Sequence, residues 1–186
     1  MSQNSPQKWF NLEELFFNQV DNELLQRLKG EMETAATAEA ISKVAGIENA
    51  DLAASMAELN VTVETLAAFR LAPLVAVAWA DDRIEEEERY AITKAAKMAG
   101  IKDEDAAMSL LETWTKRRPG PELMEAWCEY AASLSGSLAE PHRVSLKQEI
   151  TGQVNAVAEA AGGVLGFGSV CQAEQAMIDR IEKALG

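Results

Sequence analysis

Six carboxylates crowd one short stretch of this chain, AWADDRIEEEERY at 78–90, and four of them, Asp81, Asp82, Glu85 and Glu88, are the candidate ligands. Hard divalent cations are held by oxygen ligands, about six to eight for Ca²⁺ and a tight octahedron for Mg²⁺. A turn carrying these acids can set three or four oxygen donors around one point, so a Ca²⁺ or Mg²⁺ site is the chemistry it offers. Two features count against it. The twelve-residue EF-hand alternation of Asp or Asn with a central Gly and a terminal Glu is missing. No Cys or His lies nearby in sequence, which disfavours a soft metal. The same residues also make a helix start. Asp82-Arg83-Ile84-Glu85 has the form of a capping box, and Asp82 suits a left-handed or capping backbone. Glutamates in a first turn favour the positive end of the helix dipole by about 0.3 to 1 kcal/mol each. Ile84 is expected to dip back into the core as the pin of a helical hairpin.

No catalytic residue emerges elsewhere. His142, the single histidine, follows Pro141 in a first helical turn without an identifiable nucleophile or acid partner, so a capping or solvated role is expected. Glu85 through Glu88 cannot all point one way on a helix, which argues against a paired-carboxylate hydrolase. Cys128 and Cys171 belong to no CxxC pair and are expected to be small buried hydrophobes. Gly162, Gly163, Gly166 and Gly168 are expected to end a buried helix in a flexible hairpin. No GK[ST] follows them, so a phosphate loop is not expected.

The elements that must position the acidic turn are helical. Of 186 residues, 48% are hydrophobic, enough for one domain or two small repeats sharing a core. Apolar spacing is helical throughout, Ala, Glu, Leu and Lys abound, and runs of Val, Ile and Thr are short, so the fold class is all-α with about eight helices. Residues 1–8 read as a flexible N-terminus and 9–186 as a single domain. Asn11 opens a first helix with Glu14 at the capping-box position and Phe10 as a staple onto Leu15. Its aromatics, with Trp9, Phe16 and Phe17, lie on more than one side. That helix can pack across both halves of the molecule, or dock on a partner or a second copy of the chain. A helix over roughly 32–45 stops at Gly46, and Asn49 or Asp51 opens the next, through Leu59. Thr62 caps the following segment, and Pro73 sets a boundary or kink before LVAVAWA (74–80), which is apolar on all sides and expected at the centre of the core. Further helices end at Gly100, start at Asp103 and stop at Arg118-Pro119-Gly120, start with Pro121, run from Pro141 to about Ala161, and run from Ser169 to Leu185.

The balance of 30 acidic against 17 basic residues gives a net charge of −13, so a nucleic-acid partner is not expected. MSQNSPQKWF has no apolar core followed by a small-residue cleavage site, and no run of about 20 apolar residues occurs; the cytoplasm is the expected compartment.

The chain also repeats itself. AVA at 76–78 recurs at 156–158, and ERYAITKAAKMAG (88–100) lies over EQAMIDRIEKALG (174–186), with Glu88 on Glu174, Ile92 on Ile178 and Gly100 on Gly186. Two helix-turn-helix units facing one another around a shared core are expected, centred on 62–100 and 141–186. Where the first has Asp81-Asp82-Arg83, the second has Ala161-Gly162-Gly163, so the acidic turn is confined to the first.

AWADDRIEEEERYAI resembles the signature of the TerB-like, tellurite-resistance-associated family. In that family a buried helix ends in Ala-Asp-Gly, an aliphatic residue follows, and a Glu-Arg pair leads the next helix. Ala80, Asp81, Ile84, Glu88 and Arg89 match, as does the alanine-rich AAKMAGI; Asp82 stands where glycine is usual. The resemblance covers roughly residues 60–101. It implies an all-α fold with a pseudo-repeat and a non-enzymatic role in stress-associated scaffolding or sensing near a membrane, through a protein partner the sequence does not identify. It also implies metal-ion binding in some members, which makes a divalent-cation sensor using the 81–88 turn the alternative function.

Overall fold

The structure, a computed structural model, describes residues 30–160 and 170–186. The expected flexible stretch 1–8, the aromatic first helix and the glycine-rich hairpin at 162–168 lie outside these. Every regular element among the described residues is helical, and no strand occurs among them.

Glycine, proline and a few polar caps mark the element boundaries. The first described helix, α1, spans 30–45 and ends at Gly46, whose φ of 67° is a left-handed value that suits glycine. Asn49 then caps α2 (Ala50–Glu58): its side chain accepts the N–H groups of Asp51 and Leu52 at 3.0 and 3.3 Å. Thr62 and Thr65 exchange side-chain and backbone hydrogen bonds before α3 (Leu66–Arg70), the Thr62 N–H donating to Thr65 Oγ1 at 2.8 Å. Pro73 sits in the first turn of α4 (Ala72–Ala78), where its missing N–H costs nothing, and the chain breaks at Leu71 as expected. Then follow α5 (Glu86–Met98), α6 (Ala106–Lys116), α7 (Pro121–Ser137), α8 (Glu140–Ala158) and α9 (Gln172–Ala184). The start of α6 falls at Asp105 rather than Asp103, because the Asp105 carboxylate accepts the Lys102 N–H at 2.8 Å and closes a turn first.

The apolar α4 lies at the centre, with Ala72, Pro73, Leu74, Val75, Val77 and Ala78 buried and α5 to α9 all packed around it. A short helix with no polar face has no other stable position. Phe69 and Tyr130 meet edge to face, ring centroids 5.7 Å apart, and Trp127 of α7 is fully buried in the same cluster.

The helices α5 and α9 correspond position for position. Each has 13 residues, each opens on a capping box with glutamate as its third residue, and each is followed by a glycine with positive φ, Gly100 at 86° and Gly186 at 96°. Each follows a partner helix, α4 or α8, and α4 packs on α8 as well as on α5 and α9.

Candidate functional site

The acidic turn joins α4 to α5. Trp79 ends α4 and anchors it sideways, its indole Nε1–H donating to the Trp114 carbonyl of α6 at 2.8 Å. Asp82 adopts φ 72°, the left-handed conformation that an aspartate tolerates better than most residues, and its N–H donates to the Trp79 carbonyl at 3.1 Å. Ile84 is buried, and Glu85 is extended. The helix start therefore falls three residues later than the Asp82-to-Glu85 box predicts: Glu85 is the N-cap, and Glu88 completes the capping box.

The four acids do separate work. The Asp81 carboxylate accepts the Arg83 N–H at 3.3 Å and also meets its guanidinium, and Arg83 bridges on to Glu85 at 2.9 Å. Asp82 pairs with Arg118, in the connection between α6 and α7. Glu88 accepts the Glu85 N–H at 2.7 Å and is only 3% exposed. Among the described residues no group of three or more His, Cys, Asp or Glu is placed to hold a metal ion.

A second carboxylate, which the acidic motif did not include, comes close to Glu88. Glu174 occupies the same place at the start of α9, accepting the Cys171 N–H at 2.5 Å, and is 8% exposed. Cys171 is thereby a cap rather than a buried hydrophobe, its sulfur accepting the Glu174 N–H at 3.4 Å; both cysteines are half-buried. Burial pushes the Glu88 carboxyl up to about 7, against the bond from Glu85 N–H, with Glu174, Asp81 and Glu85 adding like-charge repulsion. The sequence signal for Glu174 is its alignment on Glu88; the alignment by itself does not show that the two carboxylates come near one another in space.

Beside this turn, α5 and α8 leave an apolar groove of about 740 Å³. Its floor is small: Ala91 and Ala95 one turn apart on α5, Gly152 and Ala156 one turn apart on α8. Tyr90 and Met98, 72% and 80% exposed, stand on α5 at its margin. Three carboxylates, Glu86, Glu87 and Glu149, and one ammonium, Lys94, ring it. Neither Glu88 nor Glu174 lines it. His142, at the start of α8, is exposed and away from it.

Among the described residues no helix is long and apolar enough to cross a membrane. Comparison of the chain with protein-family models, curated proteins and solved structures returned no match to any of the three.

Proposed function

We propose that the chain is a non-enzymatic, TerB-like helical module of the cytoplasm that serves a stress response by holding a basic amphipathic helix of a protein partner in the α5/α8 groove. The observation that carries this reading is the groove itself: small residues on both helices open it, and Tyr90 and Met98 present large apolar side chains at its margin. Large exposed apolar side chains beside a concave apolar floor are the usual signature of helix-in-groove recognition. The charge of the occupant follows from the rim, where three carboxylates face one ammonium on a chain of net charge −13. A helix of α5's 13 residues is about 20 Å long, room for three to four turns of a partner. The TerB-like assignment is supported by the local chemistry of the turn: a left-handed residue at position 82, where the family has glycine, a buried aliphatic residue at 84, and a glutamate at 88 serving the helix start.

The test uses two fluorescent amphipathic peptides of the same Leu pattern, one with Lys and one with Glu on its polar face, titrated with the full chain by anisotropy. The Lys peptide is expected to bind saturably and the Glu peptide at least about tenfold more weakly. Gly152→Leu, whose side chain enters the groove from a position with open space around it, is expected to abolish binding while leaving the helical signal intact. Equal binding of both peptides, or undiminished binding by the Leu variant, would refute this reading.

A further inference from the structure

A second cavity, of about 390 Å³, lies on another side of the molecule, between α4, the start of α7 and α9. Val75, Trp79, Met124 and Met177 contribute apolar walls, and Arg118 and Arg180 are the charged residues that line it. Both charged lining residues are thus basic, in a chain of net charge −13. The two arginines differ. Arg118 is neutralised by Asp82. Arg180, exposed on α9, has no carboxylate within ion-pair distance among the described residues and lies near the thiol of Cys128 on α7. Burial raises the pKa of that thiol, which keeps it neutral, and Glu125 and Glu129 act on it only from a distance. The N-terminus of α7 also faces this region through Gly120 and Pro121, but the Glu122 side chain folds back against Gly120 and takes up that end. The cation left for a ligand is Arg180.

We propose that this cavity is a binding site for a small aliphatic carboxylate, its tail between Trp79, Met124 and Met177 and its head on Arg180. The volume falls in the range of small-molecule sites, which are walled by apolar side chains and oriented by few polar groups. A guanidinium fork matches a carboxylate's two oxygens bidentately, and a single arginine without an ion pair among the described residues suits one negative charge better than a phosphate dianion. The site is independent of the α5/α8 groove, with which it shares no lining residue.

Octanoate and 1-octanol serve as probes, titrated into the isotopically labelled full chain and followed by amide chemical shifts. Octanoate is expected to give saturable shifts confined to α4, residues 118–124 and α9 at concentrations up to about 5 mM, the range open to so small a ligand. Arg180→Gln, an exposed substitution whose folding is checked by its unperturbed spectrum elsewhere, is expected to weaken octanoate at least about tenfold and leave octanol unchanged. Absence of saturation, shifts that map to α5 and α8, or equal octanoate affinity for the Gln variant would each overturn the proposal.

Discussion

At residue 88 a carboxylate serves a backbone N–H at the cost of leaving water. The Glu88 side chain is 3% exposed and its pKa rises from 4.5 to about 7, burial being the largest cause. The folded state therefore binds this proton more tightly than the unfolded chain. Its contribution is fully present below about pH 4.5 and is lost as pH rises through about 7. Urea unfolding at pH 5 and pH 8 is expected to show a loss of roughly 2 to 3 kcal/mol from this group. Glu88→Gln keeps an oxygen to accept the Glu85 N–H and removes the titration. Its stability is expected to be flatter across that window and to exceed wild type at pH 8; an unchanged pH slope in the variant would place the effect elsewhere. Asp82 was legible as a left-handed or capping residue from its type and place between two helices, and its φ of 72° agrees. The burial of Glu88 was not legible, because it depends on how α5 packs against α4, α6 and α8, and its like-charge neighbour Glu174 lies 86 residues further along the chain.

The helices show where local signals suffice and where they compete. Asn49, Gly46, Pro73, Gly100 and Pro121 mark boundaries that local stereochemistry decides, and the structure places helix ends at each. The α5 start is different: two overlapping D/E-x-x-E boxes, 82–85 and 85–88, compete, and the later one forms, with Ile84 buried ahead of it. On α8, Gly152 is helical with nothing within 4 Å of the position a Cβ would take. Gly152→Ala is therefore expected to stabilise the protein by about 0.5 to 1 kcal/mol, from the lower backbone entropy of the unfolded chain and better helix propensity. Thermal unfolding checks this, and a loss of stability would mean that the groove floor is less open than its geometry indicates. In the groove an added methyl is small, whereas leucine at the same position fills it.

For the whole molecule, stability rests on the helix with no polar face. Phe69, just before α4, is fully buried and meets Tyr130, so Phe69→Ala is expected to cost about 3 to 5 kcal/mol, measured by urea unfolding. A cost under about 1 kcal/mol would show that the core closes over the lost ring. The repeat is where the two levels of information meet. By itself the sequence determined the all-α class, the central place of 74–80, most helix ends and the pairing of Glu88 with Glu174, since periodicity, glycine, proline and short polar caps act within a few residues. Only the tertiary structure decided that Asp82 pairs with Arg118 from another connection, that two glutamates from distant helices share one neighbourhood, and that α5 and α8 leave a groove while Arg180 faces a cavity. Those outcomes depend on which helix faces come together. Their causes are distances between residues far apart in the chain, where burial and electrostatics, rather than local conformational preference, set the result.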